Sequence, residues 1–471
     1  MKAKLSKGAL PRRRKSKVEK SGRELPEQLK ALNLNAGGID IGAREHYVCV
    51  PKGRDEKQVR RFLNFHHDLE AMAQWLKKCG VQSVVMESTG VYWIPAFQVL
   101  ERAGLEVLLV DPRQARNVPG RKSDMLDCQW LQLLHTYGLL RGCFRPKDEI
   151  CVLRSYLRLR DDLTRDRSRN ILLMQKALQQ MNVQLHHVLS DITGESGMAV
   201  VRAIVGGERD PLRLVQMVNA RVKATPAKIV AALAGDYRPE HLFALKVALT
   251  MYDQYTQQII QCDEQLAHYV VSLESKSDPL QKILPKGKRN LRASDGANAQ
   301  EVRSELFRIS GVDLTAIEGI SVRTAQVIIS EIGLDVSSWS SEKRFASWLG
   351  LCPNQKISGG IVLSSCPRRV KNRVRHALRL AASTLRQSKT ALGAFFRRMK
   401  TRLGSASAIT ATAHKLARIV YRMLKFGEAY VSEGLELYEH RYQERLVKSM
   451  MKTAKRFGYE LVPQMTEARV S

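Results

Sequence analysis

The sequence predicts an α/β domain near the N-terminus and mainly α-helical structure in the rest of the chain. Between residues 36 and 147, short apolar runs alternate with helical patterns, which is typical of an α/β domain with a largely parallel sheet. From residue 148 to residue 192, apolar residues recur at roughly helical spacing without Gly or Pro, which indicates one long amphipathic helix. A length of 471 residues is compatible with about two to four domains.

The α/β domain contains three apolar runs that predict strands, with two helical patterns between them. The first run, residues 38–50, has a Gly-rich opening and is interrupted by a turn, and the other runs are residues 83–87 and 105–110. Residues 69–76 and 91–103 have the apolar spacing of helices. The order strand, helix, strand, helix, strand is the basis for the predicted fold class.

Changes in composition divide the chain into six predicted segments: a basic flexible arm (1–35), the α/β domain (36–147), a helical or coiled-coil domain (148–275), a linker (276–300), a helical C-terminal domain (301–430) and a helical tail (431–471). We expect the long helix at the start of the third segment to form an oligomerising coiled coil. A compact helical domain without a dimer seam is the alternative.

The charge of the chain is strongly positive and unevenly distributed. Lys and Arg number 77 and Asp and Glu number 46, which gives a formal net charge of +31. Self-repulsion of that size is typical of a protein with a polyanionic partner. Residues 343–427 contain 19 Lys and Arg and no Asp or Glu. So long a stretch without acids favours a surface that binds the phosphate backbone of a nucleic acid.

Several classes of protein are excluded by pattern. No apolar run reaches the ~18–20 residues that span a bilayer, and no apolar segment of a secretory signal follows the basic N-terminus. The eight Cys are scattered without a CxxC pair, which argues against a zinc ribbon or a disulfide framework and fits a reducing cytosol. Neither a Walker-A pattern nor GxGxxG is present. We therefore expect a cytoplasmic protein without a membrane partner.

Four acids occupy positions that suit metal chemistry. Asp40 lies in the first predicted strand, Glu87 ends the second, and Asp124 and Asp127 share one face of a helix through their i, i+3 spacing. Converging carboxylates raise each other's pKa, and a divalent cation removes that conflict. Oxygen-only ligands favour Mg²⁺, with Mn²⁺ as the alternative. Two such ions could activate a nucleophile and stabilise a leaving oxygen at a phosphodiester.

Each acid also has a structural interpretation. Asp40 could be a turn residue beside two glycines, and Glu87 could cap the helix that follows it. Asp124 and Asp127 could be acids that the helix dipole favours near an N-terminus. The basic surroundings make a structural role for all four together the weaker interpretation.

The acids stand among longer motifs: GGIDIG, MESTGVYW, VDPRQARNVPGRKSDMLDCQWLQ, SDITGESGMAVVRAIVGGERDP, IEGISVRTAQVIISEIG, FASWLGLCPNQKISGG and ITATAHKLARIVYRMLK. With them, the sequence resembles RuvC-like nucleases of the ribonuclease-H fold. More specifically, it resembles the DEDD transposases of bacterial insertion sequences, the insertion-sequence-110 and -1111 group, from about residue 36 to residue 430. The resemblance implies a RuvC-like N-terminal domain, Mg²⁺ held by the four acids, and cleavage and exchange of DNA strands.

Ser358 precedes two glycines in a loop of the C-terminal domain. From spacing alone it is a turn serine. The resemblance implies that Ser358 is a nucleophile that forms a transient covalent bond to DNA, while Ser364 and Ser365 stay open as alternatives. It also implies a noncoding guide RNA that bridges donor and target DNA, and a homo-oligomer (dimer or tetramer) in which another protomer often completes the site.

Two further elements predict contact with nucleic acid. Residues 314–332 have the pattern of a helix-hairpin-helix, in which Gly319 permits the tight turn and Ser321 follows it. A plain helix–helix turn would have the same pattern. The second element is a basic segment with five candidate contacts: Arg368, Arg369, Lys371, Arg373 and Arg375.

The sequence therefore predicts a DNA transposase or recombinase of an insertion sequence, in the bacterial cytoplasm and associated with the nucleoid. One alternative is a RuvC-like structure-selective nuclease that uses metal-activated water, in which Ser358 is structural. Another is a nucleic-acid binder without catalytic activity.

Overall fold

A computed structural model describes residues 31–113, 124–276, 284, 299–359, 361–427 and 434–462. Most of the predicted basic arm and most of the predicted linker lie outside the described residues. The chain divides into two compact units, Met1–Arg145 and Pro146–Ser471. Within the described ranges, no helix has both the length and the apolar character that crossing a bilayer requires.

The first unit contains a five-stranded mixed sheet. Its strands are β1 (Ala36–Ile41), β2 (Glu45–Cys49), β3 (Val59–Leu63), β4 (Ser83–Glu87) and β5 (Glu106–Val110). Their order across the sheet is β3-β2-β1-β4-β5, with β1, β4 and β5 parallel and β1, β2 and β3 antiparallel. The sheet is thus mixed rather than largely parallel, because the connections after β1 and β2 are too short for a parallel crossover.

Among the described residues of this unit, three helices accompany the sheet: α1 (His66–Lys78), α2 (Trp93–Arg102) and α3 (Asp124–Thr136). Helix α1 buries Leu69, Met72 and Leu76, which recur at helical spacing on one face. They join apolar side chains of β1, β2 and β4 in one core. A mixed sheet with helices packed on it is consistent with the RuvC-like, ribonuclease-H type of fold.

The second unit begins with several helices: α4 (Asp148–Gln180), α5 (Glu195–Val205), α6 (Pro211–Gln216), α7 (Pro226–Leu233) and α8 (Pro239–Ser272). Helices α4 and α8 run antiparallel. The Tyr269 hydroxyl, near the end of α8, donates to the Glu149 carbonyl at the start of α4, and Arg160 pairs with Asp263. The packing covers part of the apolar stripe predicted for a coiled coil.

The remaining helices of this unit are α9 (Ala299–Ser310), α10 (Val322–Ile332), α11 (Glu342–Trp348), α12 (Arg373–Thr384), α13 (Ala391–Leu403), α14 (Ser405–Phe426) and α15 (Leu435–Arg456). A two-stranded antiparallel hairpin, β6 (Lys356–Ser358) with β7 (Ile361–Ser364), lies between α11 and α12. Helices α10 to α14 pack mainly through buried aliphatic and aromatic side chains, among them Phe345 and Tyr421, whose rings are 5.7 Å apart.

Candidate functional site

Two of the predicted acids lie at the same edge of the sheet. Strands β1 and β4 are parallel neighbours, and their register pairs Ile39 with Met86. Asp40 and Glu87 are therefore the next residues along two adjacent strands, and both are half-buried. Ile39 and Met86 are completely buried. The core thus fixes the backbone immediately before each carboxylate.

Helix α3, which carries Asp127, crosses β1 at Gly38. A Cβ built on Gly38 would lie 2.3 Å from the Cys128 carbonyl oxygen and 2.4 Å from the Gln132 amide nitrogen, so glycine is required where the helix crosses β1. Hydrogen bonding with Cys49, burial and the nearby charge of Asp40 all raise the pKa of Cys128. Asp127, which precedes Cys128, therefore lies on a helix that packs against the strand of Asp40.

The remaining acid, Asp124, is the first residue of α3, and its side chain lies outside the described residues. Among the side chains that the structure does describe, no group of three His, Cys, Asp or Glu is close enough to hold a metal ion. The donor set nevertheless fits Mg²⁺, which prefers oxygen, keeps several waters and usually binds through one or two carboxylates plus phosphates of the substrate. A closed protein cage is not required.

A groove of about 570 Å³ adjoins Asp40 and carries positive charge that sequence reasoning missed. The tight turn after β1 places Arg44 in its wall, and Arg61 reaches it from β3. Arg61 forms an ion pair with Glu45, whereas the side chain of Arg44 is exposed. The groove therefore offers a cation next to a candidate catalytic carboxylate, as a phosphodiester substrate requires.

Ser358 ends strand β6 in the second unit, and its register partner is Ile361. Two residues connect the strands; Gly359 has φ +54, a conformation that favours glycine, and Gly360 lies outside the described residues. Ser358 is exposed, as is Ser365. The Ser364 hydroxyl is half-buried and accepts a hydrogen bond of 3.3 Å from the Cys366 amide.

The predicted hairpin residues have local packing and capping contacts. Gly319 has φ +90, and a Cβ there would lie 2.7 Å from the Ala381 carbonyl oxygen of α12. Ser321 caps α10, because its hydroxyl accepts a hydrogen bond of 3.2 Å from the Thr324 amide. Both residues thus help to pack the turn against its neighbours.

The five basic candidates divide into two groups. Arg368, Arg369 and Lys371 are exposed. Arg375 is half-buried and donates to the Arg368 carbonyl oxygen at 3.0 Å, and burial lowers its pKa. Arg373 forms ion pairs with carboxylates from two other helices.

Arg373 belongs to an ionic cluster at the contact of α4, α10 and α12. Asp161 accepts hydrogen bonds from Arg323 and Arg373, and Glu331 lies 3.4 Å from Arg373. Burial, followed by the charge of Arg160, lowers the pKa of Arg323 to about 10. The charge of Arg373 is thus already opposed by two carboxylates.

Comparison with protein families gives two matches. A model of the DEDD transposases of the IS110 type, described as "Transposase", matches residues 37–183, which include all four acids. A model described as "Transposase IS116/IS110/IS902 family" matches residues 313–397, which include Ser358 and the basic segment. No curated protein matches the chain. The order of the two matches and the mixed sheet that carries the acids show that the chain belongs to the IS110 family of DEDD transposases, enzymes that cleave DNA and transfer its strands.

Proposed function

We propose that this transposase moves an insertion sequence by metal-dependent strand cleavage and exchange through a covalent serine intermediate. Asp40, Glu87, Asp124 and Asp127 hold Mg²⁺ (or Mn²⁺), and Ser358 is the nucleophile. The observation that carries the metal assignment is the placement of Asp40 and Glu87 at one edge of adjacent parallel strands, where α3 crosses at Gly38.

The chemistry is a pair of transesterifications. Bound Mg²⁺ supplies positive charge at the oxygens of the scissile phosphodiester. The Ser358 Oγ forms a bond to phosphorus, the bond from phosphorus to one sugar oxygen breaks, and the serine proton passes to solvent or to the departing oxygen. A sugar hydroxyl from the second strand then attacks the same phosphorus and releases the serine. One phosphodiester replaces another, so no external energy source is needed.

Exposed basic residues hold the nucleic acid during these steps. Arg368, Arg369 and Lys371 lie between the Ser358 hairpin and α12, where they can contact phosphates on either side of the cleaved bond. The turn at Gly319 and Ser321, as a helix-hairpin-helix, adds backbone N–H groups. Arg373 and Arg375 mainly stabilise the protein beneath this surface and contact phosphate less, since both have protein partners.

Guidance by a noncoding bridge RNA and assembly into a dimer or tetramer are part of the proposal. The acid-free stretch at 343–427, with 19 Lys and Arg, supports the binding of nucleic acid. On α4, Leu159, Leu172 and Leu173 are 52%, 66% and 44% exposed, which supports a coiled-coil contact with a second copy. Such a protein would work at the bacterial nucleoid, in the cytoplasm.

A RuvC-like nuclease that uses metal-activated water is the second candidate. One observation favours it: within the described part of the chain, no hydrogen bond joins the Ser358 hydroxyl to a general base. In this case Ser358 would only shape the hairpin turn, and cleavage would leave free DNA ends.

The two candidates differ in whether protein becomes attached to DNA. We expect an adduct that survives denaturation when the protein is incubated with its element ends, guide RNA and Mg²⁺. Ser358→Ala should abolish the adduct, whereas Ser364→Ala and Ser365→Ala should retain it. Cleavage without an adduct would assign the reaction to water, and an adduct retained in Ser358→Ala would move the nucleophile to another residue.

The metal assignment is tested by Asp40→Ala. We expect strand transfer to fall by on the order of 10³-fold or more, because a ligand to the charge-stabilising ion is lost. Binding of DNA or RNA should stay nearly unchanged. Glu45→Gln is the matched control, since Glu45 lines the same groove but pairs with Arg61. Recombination at the wild-type rate in Asp40→Ala would refute the assignment.

A further inference from the structure

Helix α15 lies beyond both segments that the family models match, and one end of it is anchored. Tyr438 is buried against Ala391 and Ala394 of α13. The Arg398 guanidinium lies 4.9 Å from the centre of the Tyr438 ring and 3.8 Å from that of Tyr442. These contacts involve only the first two turns of α15.

Beyond this anchor the helix is open to solvent. Every described residue from 439 to 462 is exposed except Ala454, which is half-buried. An isolated helix of this length is marginally stable in water by itself. A helix that extends so far from its anchor therefore gains stability if a partner binds along it.

The exposed part of α15 carries a row of cations on one face. Five of them are spaced by three or four residues, which places them on successive turns of the same side: Arg441, Arg445, Lys448, Lys452 and Lys455. Large apolar residues, among them Leu446 and Met450, lie on the opposite side. Basic and apolar residues are therefore segregated around the helix.

Two acids of the helix have partners outside this row. Glu439 lies 3.7 Å from Arg398 of α13, and Glu444 pairs with His440 at 3.4 Å. Among the described residues, no carboxylate forms an ion pair with Arg445, Lys448 or Lys452. Like charges placed on successive turns repel one another, which destabilises the helix unless an anion binds.

We propose that this basic row of α15 binds the sugar-phosphate backbone of a nucleic acid. The first and last of these five cations are 14 positions apart, which is about 21 Å at 1.5 Å per residue. Over that length of duplex axis, each strand has about six phosphates, at 3.4 Å of axis per phosphate. The number of positive charges and their extent therefore match a short run of backbone.

The row continues a basic surface that starts on the anchoring helix. Helix α13 contains Arg397, Arg398, Lys400 and Arg402 and no acid. Tyr438 attaches α15 to α13, and the basic row of α15 begins just after this contact. The proposal concerns phosphate binding alone, so it does not depend on the metal or on Ser358.

The test is the salt dependence of binding by the full-length protein. In a variant with Arg445, Lys448, Lys452 and Lys455 changed to Gln, each lost phosphate contact removes about 0.9 from the slope of log K against log salt for duplex DNA. We expect the slope to become smaller by about 3.6 and the affinity at 0.1 M salt to fall by on the order of 10³-fold. Gln retains helix propensity, and circular dichroism verifies that helix content is kept.

Binding is measured without metal for two fluorescent probes, a duplex DNA and an RNA hairpin. The probe whose salt slope becomes smaller in the variant identifies which nucleic acid α15 binds. The matched control changes four exposed lysines of the first unit to Gln, namely Lys52, Lys57, Lys77 and Lys78, and should leave both slopes within about 1 of wild type. Unchanged slopes for both probes in the α15 variant, or equal losses in the control, would overturn the proposal. So would a variant that loses only its binding to anionic lipid vesicles.

Discussion

Asp40 and Glu87 extend from central strands whose preceding residues are completely buried, whereas Ser358 ends a strand of a two-stranded hairpin with exposed apolar side chains. In that hairpin Ile357, Ile361 and Leu363 are 59%, 68% and 68% exposed. A hairpin of two strands is only marginally stable without a third layer. The chain itself therefore fixes the backbone that carries the acids, while the geometry at the serine depends on what covers the hairpin.

The difference has a chemical reason. Carboxylates that share a divalent ion must be held together against their mutual repulsion before the ion binds, which requires a rigid frame. A nucleophile that attacks only one correct phosphate gains specificity if its geometry forms on binding of the substrate. Substitutions that disturb the frame of the acids should therefore lower both folding stability and activity, whereas substitutions at the hairpin should lower activity with little effect on folding stability.

The largest expected effect on stability is at the crossing of α3 over β1. We expect Gly38→Ala to lower the free energy of unfolding by about 3 kcal/mol, because the new methyl group overlaps backbone atoms of Cys128 and Gln132 that cannot move independently of the helix. Strand transfer should be lost as well, since α3 carries Asp127. Urea unfolding and a strand-transfer assay measure the two effects.

Gly37→Ala is the matched control for this substitution. A Cβ on Gly37 would lie 3.1 Å from a methyl group of Val84 and 3.3 Å from methyl groups of Leu76 and Val81, which can shift slightly. We expect a cost of about 1 kcal/mol and retained activity. Equal effects at the two glycines would mean that the α3 contact does not fix the acids.

An intermediate effect is expected at the ionic cluster of the second unit. Asp161→Ala leaves Arg323 and Arg373 without a shared carboxylate, and the side chains there are 24–37% exposed. We expect the free energy of unfolding to fall by about 1–2 kcal/mol, less than for a fully buried pair because solvent screens the charges. The control Asp162→Ala, whose exposed partner is Arg165, should change it by less than about 0.5 kcal/mol.

The same cluster distinguishes two roles of arginine. Arg373→Gln should lower the free energy of unfolding and leave the salt slope of DNA binding almost unchanged, whereas Arg369→Gln should have the reverse effect. A normal stability together with a reduced salt slope in Arg373→Gln would make Arg373 a phosphate contact instead.

The smallest stability effect is expected at the hairpin. We expect Leu363→Thr to change the free energy of unfolding by less than about 0.5 kcal/mol, because Leu363 is exposed and Thr suits a strand equally well. Strand transfer should nevertheless fall by about 10-fold, since the lost apolar contact is made only in the assembled complex. Leu212→Thr, at a site that is 63% exposed and outside both family matches, should leave it unchanged. An unfolding cost above 1 kcal/mol at Leu363 would mean that the hairpin is already packed.

Local patterns in the sequence predict the acid-bearing strands but not every element around them. The apolar runs before Asp40 and Glu87 are long enough to indicate buried strands. Strand β3 has the sequence VRRFL, whose two arginines hide its apolar alternation, so both it and the mixed order of the sheet were missed. Arg44 was missed because nothing local indicates that a turn residue lines a groove.

Contacts between distant residues account for the other differences. In the sequence, Arg373 is one of several cations in a basic segment. Its partner Asp161 is 212 positions away, so the sequence does not reveal the ion pair. The requirement for glycine at 319 reflects the close approach of α12 as well as the turn. The apolar stripe on α4 is partly covered by α8 of the same chain. Sequence periodicity cannot distinguish such a contact from a coiled-coil seam between two copies.

The acid-free stretch at 343–427 links nucleic acid to the lifetime of the protein. Some of its arginines pair with carboxylates outside the stretch: Arg418 pairs with Glu342, and Arg398 lies near Glu439. Most of the other positive charges in the stretch repel one another. A nucleic acid that binds only the folded state, at 100 times its dissociation constant, adds about 2.7 kcal/mol of stability. Copies without nucleic acid lack this increment, open more often and are degraded first. If this stretch holds the nucleic acid, as proposed, its charge should also limit how long an idle transposase persists.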